Sequence, residues 1–126
     1  MEDEIYKKVK SIKNKWGTND PFKICRYLNI HIYYKELGDI KGCYKKILNK
    51  KIIIINQDLN ESDKKIICAH ELGHCLFHST NDIKFMLEHG AMAKKSKYEN
   101  EANLFAKELL FENEENYSFE LYFLEK

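Results

Sequence analysis

A chain of 126 residues, 44% hydrophobic and 33% charged, with one proline and five glycines, is sized for a single domain over 1–126 with its own core. Its 21 Lys+Arg against 20 Asp+Glu leave almost no net charge, which argues against direct nucleic-acid binding. The longest aliphatic run, Ile52 to Ile55, is far too short for a bilayer. The acidic start Met1-Glu2-Asp3-Glu4 lacks the basic-then-apolar pattern of a signal peptide, so a cytoplasmic protein is expected.

Residues 3–15 place Ile5, Val9 and Ile12 at helical spacing, and Gly17 is a natural end for that helix. Asp20-Pro21 reads as an N-cap followed by proline at the first helical position, opening a short helix from Pro21 to Leu28. The β-branched and aromatic stretch 30–35 predicts a strand, and Gly38-Asp39 a turn. Cys43 to Leu48 and Lys51 to Asn56 predict two strands joined at Asn49-Lys50, the run Ile52–Ile55 suggesting burial on both faces. A helix is expected from Glu61 or Ser62 to about His78. Its apolar residues lie around much of the circumference, the mark of an enclosed helix. Residues 82–88 allow a short helix and Gly90 to Lys97 read as a loop. An amphipathic helix follows from Tyr98 to Leu110, and the tail from Glu112 to Lys126 fits neither strand nor helix clearly. The cysteines Cys25, Cys43, Cys68 and Cys75 show no CxxC spacing and read as free thiols packed as small apolar groups.

The decisive segment is His70-Glu71-Leu72-Gly73-His74, an HExxH on the enclosed helix. Residues i and i+4 lie one above the other on a helix face, so two imidazoles can converge on one ion. Glu71, rotated to the side of that face, can act as a base on water at the ion without becoming a ligand. A catalytic zinc site needs about three protein ligands and one open position, so a third must come from elsewhere. His78 lies about 12 Å along the helix axis from His70 and cannot share an ion with it, which leaves His78 a role behind the ligands or in the core. His89 is a possible ligand, but Glu99 and Glu101 on the next long helix are better placed. Glu99 lies nearer the middle of that helix's apolar stripe, and Ala102, Asn103 and Ala106 follow it at i+3, i+4 and i+7. Small residues there allow close approach of the two helices. Glu99 is therefore the expected third ligand, with Asn103 a partner to a ligand histidine. Glu101 is expected to be a solvated helix charge. Two histidines and one carboxylate in this motif favour zinc over iron or manganese. Tyr98 and His89 are candidate second donors to an oxyanion.

The segments Trp16-Gly17-Thr18-Asn19-Asp20-Pro21-Phe22, Ile40-Lys41-Gly42, His70 to His78 and Glu99-Asn100-Glu101-Ala102-Asn103-Leu104-Phe105-Ala106 resemble the ImmA/IrrE family of metallopeptidases, over roughly residues 8–111 and in the same order. The resemblance implies an α+β, zincin-like minimal metallopeptidase, with a small three-stranded sheet packed against the active-site helix and a following helix that carries a ligand. It implies His70, His74 and Glu99 as metal ligands, Glu71 as catalytic base and one catalytic Zn2+. Members commonly lie beside a helix-turn-helix repressor on phages and mobile elements, and cleave it or relieve its repression. Many relatives continue Leu-Leu with Met-Pro where this chain has Leu109-Leu110-Phe111-Glu112, and many carry a longer C-terminal region.

The function expected is a zinc-dependent endopeptidase acting on a specific cytosolic protein, with a helix-turn-helix repressor as substrate and neither nucleic acid nor membrane as partner. The alternatives are a zinc-containing regulatory protein that binds without cleaving, and the toxin of a toxin–antitoxin pair. An intact Glu71 argues against the first alternative, because a structural site does not need it.

Overall fold

The structure, a computed structural model, describes residues 1–78 and 92–111, with side chains from 96 onward in the second stretch. The expected helix over 82–88, the candidate ligand His89 and the tail 112–126 lie outside the described residues.

Helix α1 (Glu2–Trp16) buries Ile5, Val9 and Ile12. It ends at Gly17, whose φ of 63° is left-handed and whose N–H returns to the Lys13 carbonyl at 2.9 Å. Helix α2 (Pro21–Tyr27) opens as the sequence dictates: the Asp20 carboxylate accepts from the Phe22 N–H at 2.9 Å. A side-chain acceptor at this position typically stabilises a helix by about 1 kcal/mol.

Three strands follow, β1 (His31–Lys35), β2 (Gly42–Ile47) and β3 (Lys50–Asn56), in the order β1-β3-β2. β1 runs parallel to the central β3 and β2 antiparallel to it. The β2–β3 turn falls on Leu48-Asn49, with φ of 50° and 67°, one residue before the expected Asn49-Lys50. Two successive positive φ values form the turn whose twist matches a hairpin, and that geometry prevails over leucine's poor fit to it. β3 is fully enclosed on one face only. Ile53 and Ile55 have no exposed surface, whereas Ile52 and Ile54, pointing the other way, are half-buried.

Helix α3 (Glu61–Phe77) is capped by the Asn60 side chain, which accepts from the Asp63 N–H at 2.8 Å. Ten consecutive residues, Ile66 to Cys75, are buried. The enclosure expected from the sequence is therefore complete over the segment that carries the motif. The sheet covers α3 on one side and helix α4 (Met92–Leu110) on another. The expected loop over Gly90–Lys97 is helical from Met92 on, in keeping with the good helix propensity of methionine, alanine and lysine. Ala102, Phe105, Ala106 and Leu109 form the buried stripe of α4.

Two glycines set the spacing around α3. A Cβ on Gly73 would stand 3.2 Å from Ala102 Cα and 3.2 Å from Phe105 Cδ2, so α3 and α4 approach as closely as their backbones allow. A Cβ on Gly42 would collide with Ile67 Cγ2 at 2.5 Å and lie 3.7 Å from Glu71 Cγ. The bare backbone at 42 lets β2 run directly beside the helix at the level of Glu71. The four thiols are free, with Cys25 and Cys68 in contact at 4.0 Å between sulfurs. No helix among the described residues is long and apolar enough to cross a membrane.

Candidate active site

One turn of α3 separates His70 and His74, and their rings meet edge to face with centroids 4.8 Å apart. Their Nε2 atoms address the two oxygens of one carboxylate, His70 to Glu99 Oε2 at 3.1 Å and His74 to Glu99 Oε1 at 2.9 Å. The two histidine side chains are enclosed, at 4% and 6% exposure, while that of Glu99 is 44% exposed. The cluster is thus closed on its protein side and open past Glu99. Burial alone would raise the Glu99 pKa, but hydrogen bonds and charge from His70 and His74 outweigh it and hold the carboxyl well below its usual range.

Glu71 is 6% exposed, and one of its oxygens lies with a ring nitrogen from each of His70 and His74 in a group no wider than 4.8 Å. It reaches the same space as the imidazoles from the adjacent side of α3, as the 100° step between neighbours on a helix requires. His70, His74, Glu71 and Glu99, all singled out from the sequence, are therefore brought together.

Behind His74 the arrangement departs from expectation. His74 Nδ1 lies 2.9 Å from His78 Nδ1, and His78 Nε2 lies 3.2 Å from Glu101 Oε1. Glu101, expected to be solvated, is 8% exposed, because His78 offers it a hydrogen-bond partner inside the protein. Asn103 was the expected partner of a ligand histidine, but the place beside His74 Nδ1 belongs to His78, and Asn103 Oδ1 is buried with no hydrogen bond among the described residues. His78 thus stands behind His74, on the side away from Glu99. Tyr98, a candidate oxyanion donor, stacks on the His78 ring, with centroids 4.2 Å apart and planes 17° from parallel. Desolvation lowers the His78 pKa against the opposing pull of Glu101. The i+4 step from His74 to His78 was a visible signal for their contact, but nothing in the spacing of α4 announced that Glu101 would meet them.

An enclosed helix bearing HExxH, a mixed sheet on one side of it and a second helix delivering a carboxylate to both imidazoles define a zincin-like metallopeptidase scaffold. Sequence comparison agrees: the chain belongs to the peptidase M78 family of IrrE N-terminal-like domains, whose family model matches residues 25–121. It is 38% identical over 103 residues, 81% of its length, to "Uncharacterized immunity region protein 2" of Bacillus phage phi105. It is 33% identical over 108 residues, 84% of its length, to "Metallopeptidase ImmA" of Bacillus subtilis (strain 168). The chain spans 65% and 62% of the lengths of these two relatives.

Proposed function

We propose that the chain is a zinc-dependent endopeptidase that hydrolyses a peptide bond in a specific cytosolic protein, with a cognate helix-turn-helix repressor as the substrate. The observation that carries this reading is the convergence of His70 Nε2 and His74 Nε2 on the Glu99 carboxylate, at 3.1 and 2.9 Å, with Glu71 beside them. Two imidazoles and a carboxylate with an open side are a donor set that suits catalytic zinc. His70, His74 and Glu99 would hold the ion. Zinc held there supplies a Lewis acid that makes water nucleophilic near neutral pH and stabilises negative charge on the attacked carbonyl.

Glu71 takes the proton of the attacking water and then delivers it to the leaving amine. Its buried position keeps the carboxylate close to the reacting atoms and away from bulk solvent. A protein that acted only by binding zinc would have no use for a carboxylate at that place. The names of the two relatives, one an immunity region protein of a phage and one a metallopeptidase, support a protein substrate.

β2 supplies a route for that substrate. It is an edge strand, and its Gly42 lies against Glu71. A peptide added to β2 in extended form would be drawn past the base. Proline substitutions in the substrate near the cut would then block cleavage, and indifference to them would remove this route.

The test is to identify a helix-turn-helix repressor beside this gene and incubate it with wild-type protein and with Glu71→Gln. Zinc content should stay equal and cleavage should be lost in the variant, since an amide cannot accept the proton. Undiminished cleavage by Glu71→Gln would take that residue out of its role, and an intact repressor with zinc-loaded wild type would exclude that substrate.

A further inference from the structure

His74 is bound at both ends of its ring. Its Nε2 faces Glu99 and its Nδ1 faces His78, which in turn faces Glu101. Counting protons along this chain leaves little choice. A carboxylate only accepts, so His78 must donate to Glu101 from Nε2. With that ring neutral, its Nδ1 has a lone pair and accepts, so His74 must donate from Nδ1. A neutral His74 then has its Nε2 lone pair on the Glu99 side, 2.9 Å from Oε1, where a further proton on the ring joins the two groups and a cation can take that proton's place.

We propose that Glu101 and His78 are positioning residues that act through His74, fixing it in the tautomer whose Nε2 is ready to bind a metal ion and holding its ring toward the ion. The inference rests on the zinc reading of His70, His74 and Glu99. A packing role does not account for Glu101. Its Oε2 is buried with no hydrogen bond among the described residues, a cost that an apolar side chain would avoid. Stacking by Tyr98 holds the His78 ring in the plane the chain of bonds requires. Metal-bound histidines commonly pass their second N–H to a carboxylate, and here a second histidine extends the reach of that carboxylate by one ring.

The experiment measures zinc affinity of purified full-length protein by competition with a chromophoric chelator, and records the visible spectrum of the cobalt-substituted form. His78→Phe keeps an aromatic ring against Tyr98 but accepts nothing from His74. His78→Gln can accept through its carbonyl oxygen and still donate to Glu101. Phe should weaken zinc binding by about 10- to 100-fold and shift the cobalt bands, while Gln recovers much of the loss. Wild-type affinity in His78→Phe, or a folded His78→Gln no better than Phe, overturns the proposal. If His78→Phe does not fold, Glu101→Leu carries the test: about 10-fold or greater weakening is expected and unchanged affinity overturns it. Failure of the wild type to bind zinc would defeat the metal reading itself, and the positioning role with it. Tight wild-type binding with indifferent variants would defeat only the latter.

Discussion

Gly73 and Ala102 meet with only backbone between them: a Cβ built on Gly73 would stand 3.2 Å from Ala102 Cα and 3.3 Å from its carbonyl oxygen. Gly73 lies inside HExxH, and Ala102 lies three residues after Glu99. The closeness that lets a carboxylate on α4 reach two imidazoles on α3 is therefore set within the motif. Gly73→Val would force the helices apart, because the Cα and carbonyl oxygen of Ala102 are backbone atoms that cannot rotate away. A loss of about 1–3 kcal/mol in stability is expected from urea unfolding, together with weaker zinc binding, since Glu99 moves with α4. Unchanged values for both would show that the seam has slack.

The two glutamates of α4 should respond differently. Glu99→Ala removes a proposed ligand that faces both Nε2 atoms and should abolish stoichiometric zinc. Glu101→Ala leaves all three proposed ligands and should retain one zinc per chain when the metal is supplied in excess. Metal analysis after gel filtration distinguishes them, and the reverse pattern would exchange their roles.

Burial, with the sulfur of Cys75 beside it, pushes the Tyr44 phenol up to about 12 from its ordinary value of 10.0. The folded state thus favours the protonated form. Its contribution to stability is fully present below about pH 10 and is lost as pH rises through about 12. Burial also raises the Tyr34 phenol, so an absorbance titration should show a late-ionising component, and Tyr44→Phe should remove the part of it near pH 12.

Leu48 sits at the hairpin tip with φ of 50° and 92% of its surface exposed. Leucine is disfavoured in this conformation, and its side chain gains almost nothing from burial there. Leu48→Asn should stabilise the protein by about 0.5–1 kcal/mol, read as a raised midpoint of thermal unfolding.

Much of this arrangement was legible before any coordinates. The cap at Asp20, the stop at Gly17 and the spacing of Ile5, Val9 and Ile12 are local signals, and each element formed where they pointed. The enclosed character of α3 could be read because its apolar residues lie around much of its circumference. The helix-face argument pointed to Glu99, which does meet both imidazoles, but it inverted the burial of the pair: Glu99 is the half-exposed glutamate and Glu101 the buried one. What stayed hidden was pairwise. Glu101 and His78 are 23 positions apart, and their bond makes a buried residue of one that periodicity marks as solvated. The half-exposure of Ile52 and Ile54 depends on what covers the sheet's second face, which a run of isoleucines cannot say. Composition likewise disguised the start of α4, where a small, lysine-rich stretch is helical from Met92.

The two glutamates of α4 have a joint consequence for His74. One rod faces the same imidazole at opposite ends, at Nε2 across the proposed metal position and at Nδ1 through His78. A displacement of that rod therefore disturbs both ends of the ring at once.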